Sequence, residues 1–334
     1  MTLHVLEKLA ATNPDCEIWW DSSPLVYEGW KKGVLARAPA EKQKSWSEQL
    51  SRLFDARAIA GTGEMGFRGV TTNPPLSLQA IQADPEFWRG EIQRIAEEAG
   101  DGDVETVYWK VYLEIVRRGA EMIAPVYDAS FGRYGFVSGQ VDPRFTADRR
   151  RMLEQGLELA ALHRNVMVKI PGSKEGYEVI EELTARGIST NNTTSFTVPQ
   201  YLACMNAISR GLERAKAAGV DLSRWRSVIT HMSARLGNIG DLKAQAEERG
   251  ILLSPEDILH GELAVMKRAY HLARKLGHPS KMLQCSMRVI DGPRASSWHI
   301  EKLAGGDFVY TCPPGYIAQL MEVEDRLPAF SAEA

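Results

Sequence analysis

The chain has 334 residues, 44% hydrophobic and 25% charged, with 40 Lys and Arg against 43 Asp and Glu and a net charge of −3. That is the composition of a globular protein long enough to bury a sizeable core, and the near-balance of charge, with no long basic block, offers no face for nucleic acid. Its four cysteines (Cys16, Cys204, Cys285 and Cys312) are far apart and include no C-x-x-C pair, so they indicate neither a disulfide framework nor a zinc site.

Scattered thiols suit a reducing cytosol. The first twenty residues lack a basic segment followed by a long apolar core, and no stretch is long enough to span a bilayer. A cytoplasmic location is expected, and the Asn-x-Thr matches at Asn191 and Asn192 are not read as glycosylation sites. The densest basic stretch, DRRRMLEQ, opens an amphipathic helix and reads as its solvated face.

In chain order, short apolar runs read as strands: CEIWWD (16–21), FRGVTTNPP (67–75), YGFVSGQVDP (134–143), NVMVKIPG (165–172), GISTNNTTS (187–195), RSVITHMSARLG (226–237), KMLQCSM (281–287) and DFVYTCPP (307–314). Helical patterns separate them, over 107–127, 148–163, 175–187, 198–219 and 261–277, with Gly or Pro at their ends. Eight alternations predict an α/β fold, a (β/α)8 TIM barrel in one domain over 1–334. The surplus length at 29–66 and 237–279 reads as extra helices. A doubly wound sheet is the rival, and GTGEMG (61–66) matches its glycine-rich phosphate loop letter for letter. Yet that loop needs a strand before it and a helix after it, whereas here a helical pattern (48–60) precedes and a strand follows. The glycines read as a loop.

Side chains alternate faces along a strand. In the fourth strand Val166, Val168 and Ile170 share one face, and Met167 and Lys169 the other. The aliphatic face belongs against the helices, so Lys169 points into the barrel near the strand's C-terminal end, where barrel active sites are built. The same parity turns Trp19 and Asp21 inward on the first strand, and pairs Thr71 with Asn73 on the second and Ser138 with Gln140 on the third. Ser189, Asn191 and Thr193 go together on the fifth, Thr230 and Met232 on the sixth, and Gln284, Ser286 and Arg288 on the seventh. His231 falls outside this inward set. A buried ammonium is costly, so a polar group at the end of each of seven strands is hard to explain by packing.

Plainer roles exist for single residues. Lys169 could reach solvent with its stem packed, Asp21 could cap the following turn, Asn73 before Pro74 and Pro75 could be a turn residue, and Arg235 and Arg288 could form surface salt bridges.

Together, GVTTNPPL, the VDPR of SGQVDPRF, VMVKIPGSKEG, ARGISTNNTTSF, SMR and TCPP resemble the transaldolase family, in matching order from about residue 21 to about residue 314. The resemblance implies a (β/α)8 barrel and Schiff-base chemistry with no metal or organic cofactor. It implies that Lys169 forms the imine and that Asp21 takes the proton as the carbon–carbon bond breaks. Asn73 and Asn191 would hold the dihydroxyacetone unit, Thr193 would help position a water, and Arg235, Ser286 and Arg288 would bind phosphate. Thr230 falls where the family usually has serine. An amine attacks a ketone only when unprotonated, and burial penalises an ammonium, which would give the apolar setting of Lys169 a purpose. The partner is then a small sugar or sugar phosphate, with no nucleic acid and no membrane; a homo-oligomer stays open.

One position departs from the family. Its usual S-x-E-V-D glutamate is Gln140 here, and an amide holds a water but cannot exchange a proton as a carboxylate does. Related fructose-6-phosphate aldolases carry this glutamine together with a tyrosine where this chain has Met232. Besides a transaldolase, the sequence therefore allows an aldolase-like or specialised-pathway enzyme on the same fold, or a weakly active sugar-phosphate binding protein.

Overall fold

The computed structural model describes residues 2–55, 66–100, 102–237 and 241–332; GTGEMG, apart from Gly66, lies outside them. Eight strands form where the sequence pattern predicts them: β1 (Glu17–Asp21), β2 (Gly69–Thr71), β3 (Phe136–Gln140), β4 (Val166–Pro171), β5 (Thr190–Thr193), β6 (Ser227–Met232), β7 (Lys281–Cys285) and β8 (Phe308–Cys312). Every neighbouring pair is parallel, and β8 pairs back to β1, closing the sheet into a (β/α)8 barrel.

Fourteen described helices surround it: α1 (Val5–Ala10), α2 (Tyr27–Arg37), α3 (Gln43–Leu53), α4 (Pro74–Ala83), α5 (Pro85–Ala99), α6 (Val104–Ala129), α7 (Arg149–Leu162), α8 (Lys174–Ala185), α9 (Val198–Ala217), α10 (Ser233–Leu236), α11 (Leu242–Glu248), α12 (Pro255–Lys275), α13 (Trp298–Leu303) and α14 (Pro314–Glu322). Between β2 and β3 the pattern predicts only the long α6, but α4 and α5 come first. Each begins with a proline in its first turn behind a side-chain cap. Asn73 Oδ1 accepts from the Leu76 N–H at 2.8 Å, and Asp84 Oδ1 from the Phe87 N–H at 3.2 Å. Within 237–279, α11 is an added helix, and α12 makes the crossover from β6 to β7.

The outward strand faces and the helices make the main core. Val166, Val168 and Ile170 lie in it, as do Ile18 and Trp20. Trp20 also anchors the segment that carries α2: its ring lies 4.9 Å from Tyr27 edge-on and 5.0 Å from Trp30, and Tyr27 stacks on Phe54 at 4.3 Å. His231 is outward and buried, its Nε2 against the Glu262 carbonyl at 3.1 Å. The basic stretch that opens α7 is exposed, and the four cysteines are free and buried. No helix among the described residues is long and apolar enough to cross a membrane.

The barrel axis holds a second cluster that includes Trp19, Phe136, Met167, Val228, Leu283, Cys285 and Val309. Gly69 makes room for the Trp19 indole, because a Cβ there would sit 2.5 Å from the ring. Below it, the buried Glu17 carboxylate accepts from Arg226 Nη2 at 2.7 Å, Lys281 Nζ at 2.8 Å and Trp19 Nε1 at 3.0 Å. These groups close the N-terminal end of the barrel with a satisfied ionic layer.

The parity expected for the seventh strand is wrong. Leu283 and Cys285 point to the axis, while Gln284 faces outward and accepts from Ser233 Oγ at 2.8 Å. The strand ends at Cys285, and Ser286 turns the chain with φ +56°. Ser286 and Arg288 therefore belong to the loop beyond the strand, where strand alternation no longer governs them.

Candidate active site

Parallel register aligns the C-terminal ends of the strands. Asp21 lies opposite Thr71, and Thr71 opposite Ser138. Lys169 lies between Gln140 and Asn191. Five strands thus bring their expected polar groups to one end of the barrel, opposite the Glu17 layer.

Lys169 is 8% exposed, and its hydrogen bond is a long one, Nζ to the Thr72 carbonyl at 3.5 Å. Among the described residues it has no ion pair within 4 Å. The amine is thus held in a largely dry site without being committed to a carboxylate.

Asp21 accepts from the Thr71 hydroxyl at 2.6 Å, and the Thr71 and Thr311 hydroxyls lie 2.5 Å apart. Burial pushes the Asp21 carboxyl above its ordinary range, against the opposing pull of the Lys169 charge, the Thr71 hydrogen bond and, least, the Arg235 charge. A raised carboxylate pKa brings a base closer to the acidity of the hydroxyl proton it would move.

Asn191 is buried and fixed by two neighbours: its Nδ2 donates to Ser138 Oγ at 3.0 Å, and its Oδ1 accepts from Thr230 Oγ1 at 2.7 Å. Thr230 therefore sets which way the amide faces. Asn73 caps α4 through its Oδ1, which leaves its NH₂ without a partner among the described residues. The Gln140 side chain and the Thr193 hydroxyl likewise make no hydrogen bond among them. The backbone N–H of Gln140 donates to the Tyr112 hydroxyl at 2.7 Å, which fixes the end of β3 against α6.

The two arginines differ. Arg235, on the short α10, is exposed and has no ion pair or hydrogen bond among the described residues. Arg288 gives Nη2 to both oxygens of Glu262, at 2.6 and 2.7 Å. Ser286 Oγ lies 3.9 Å from Cys285 Sγ. Burial raises that thiol to about 12, with Asp21 adding to the rise; it stays protonated and is a poor nucleophile.

Sequence reasoning missed Thr311, Cys285, Glu262 and His299. Parity applied to β8 would have turned Thr311 inward. Glu262 lies in the middle of a helix, and nothing in its local pattern distinguishes it.

The fold and this group of residues define a (β/α)8 barrel with a buried lysine, without an ion pair among the described residues, beside a carboxylate and amides at the C-terminal end of the strands. The sequence profile described as Transaldolase/Fructose-6-phosphate aldolase matches residues 55–332, and the chain belongs to that family. Its relatives include the transaldolase of Thiobacillus denitrificans, 29% identical over 86% of this chain and 83% of that protein. Transaldolase 1 of Streptomyces avermitilis is 33% identical over 84% and 78%, and transaldolase 1 of Streptomyces coelicolor 31% over 84% and 77%.

Proposed function

We propose that this protein is a transaldolase-like enzyme that moves a dihydroxyacetone unit between sugars or sugar phosphates through an imine on Lys169. The observation that carries the reading is the Lys169 amine: buried, inward, in register between Gln140 and Asn191, and unpaired. A structural lysine at such depth would be paired; a nucleophilic one must be free to lose its proton.

The amine adds to the ketone carbon of the donor, and loss of water leaves an iminium. Asp21 accepts the proton of the hydroxyl on the second carbon from the iminium carbon. That hydroxyl oxygen becomes the aldehyde oxygen, the bond from its carbon to the carbon next to the iminium carbon breaks, and the electron pair of that bond moves into the iminium to give an enamine. The first aldehyde departs. The enamine carbon attacks the acceptor aldehyde, Asp21 returns its proton to the new hydroxyl, and water releases the product from Lys169. Asn191, oriented by Ser138 and Thr230, and the free NH₂ of Asn73 suit hydrogen bonding to the three-carbon unit. Gln140 and Thr193 have free polar groups that could hold the water, and Arg235, Ser286 and Arg288 are the groups suited to a phosphate. Buried, unbridged thiols fit a cytoplasmic enzyme.

Borohydride trapping tests the reading. The protein is incubated in turn with fructose 6-phosphate, sedoheptulose 7-phosphate and dihydroxyacetone, reduced, and mapped by peptide mass. A three-carbon adduct on Lys169 is expected. No adduct on Lys169 with any donor rejects the mechanism.

A further inference from the structure

Arg288 does not stand free at the barrel mouth. Its partner, Glu262, projects from α12 with its side chain fully buried. The same carboxylate meets His299 Nε2 at 2.9 Å. A Cβ on Gly237 would come within 2.8 Å of Glu262 Oε1, so the chain after β6 also packs against it. Burial would push this carboxyl up, but the hydrogen bonds from His299 and Arg288 hold it below its ordinary value, and it is ionised at neutral pH. Arg235 has no such partner among the described residues. One guanidinium thus lacks an ion-pair partner among them and the other is paired with a buried carboxylate, so Arg235, Arg288 and Glu262 together carry one formal positive charge.

We propose that Glu262 is a specificity-determining residue: it neutralises Arg288 and makes the barrel mouth tolerant of donors whose end remote from the ketone is an uncharged hydroxyl. The inference rests on the reading of this mouth as the sugar site. Arg288 keeps Nε and Nη1 as donors, which can serve a hydroxyl or a phosphate. A dianionic phosphate drawn to that guanidinium also meets the repulsion of the fully buried carboxylate behind it, and that repulsion offsets part of the attraction. Hydrogen-bonding capacity is kept while the charge preference is lost.

The test compares kcat/KM for fructose 6-phosphate and for fructose as donors to a common aldehyde acceptor, in wild type and in Glu262→Gln, with borohydride trapping on Lys169 alongside. The glutamine is isosteric and leaves Arg288 its charge. In wild type the phosphorylated sugar is expected to lead by less than about a hundredfold, and in the variant that ratio should rise about tenfold. A wild-type ratio above about a hundredfold overturns the proposal. So does a variant ratio that falls or stays within about twofold of wild type. If the variant does not fold, the wild-type ratio decides alone. A Lys169 adduct with an overturning ratio rejects the role of Glu262 and leaves the Schiff-base reading standing. No adduct with any donor rejects both.

Discussion

The Thr71 hydroxyl donates to the Asp21 carboxylate at 2.6 Å, from the strand beside it and in direct register with it. Thr71 also lies 2.5 Å from the Thr311 hydroxyl, so the proposed base sits at the end of a short chain of hydroxyls linking β1, β2 and β8. The bond stabilises the ionised carboxylate, while burial opposes it and prevails.

Thr71→Val keeps the shape of the side chain and removes this donor. Without it the Asp21 pKa rises further, so the carboxylate form is reached only at higher pH. The acid limb of the kcat/KM profile should move up by about half to one unit, and activity below that limb should fall about three- to tenfold. A steady-state pH series on both proteins checks this. An unmoved limb would mean that Asp21 is not the group titrating there.

Lys169 and Asp21 could be found in the sequence because each alternates with aliphatic or aromatic residues that can only face the helices. That contrast fixes parity. In KMLQCSM both parities mix polar and apolar residues, so the inward face was misread and Cys285 was lost behind Gln284. The strand also stops at Cys285, and no strand rule predicts the left-handed turn at Ser286. Asn73, before two prolines, fits a turn residue or a ligand by sequence; it caps α4 through Oδ1, and its NH₂ has no partner among the described residues, so the cap does not preclude the proposed role. The pairing of Arg288 with Glu262 joins residues 26 positions apart through tertiary packing alone, and local pattern carries no trace of it.

The opposite end of the barrel makes its own prediction. Burial pushes the Glu17 carboxyl up, but Arg226 and Lys281 outweigh it and hold the carboxyl at about 2, below its ordinary 4.5. A depressed carboxylate adds stability above pH 4.5 and loses it as the pH falls from 4.5 toward 2, a full effect of about 3 kcal/mol. Urea unfolding should show Glu17→Gln less stable by about that amount at pH 7, with the gap narrowing below pH 4. A gap constant between pH 7 and 3 would show that the loss comes from packing rather than charge.

Gln140 bears on how protons would move around the proposed imine. It lies opposite Lys169 in register, its side chain free of protein hydrogen bonds among the described residues. An amide there can orient a water but cannot take a proton from it, so in the proposed mechanism the carbinolamine steps would run through Asp21 or bulk water. Gln140→Glu adds a base at that position without changing the side chain's length. With sugar-phosphate donors its kcat should rise by at least about tenfold, and the pH profile should gain a second ionisation. Stopped-flow turnover with imine trapping separates the steps: a faster turnover at an unchanged rate of imine formation would assign the gain to proton transfer after the imine forms. No gain would mean that a third-strand carboxylate is not what limits this enzyme, and attention would turn to Arg288, paired with Glu262, and to Met232, which packs against the axial cluster.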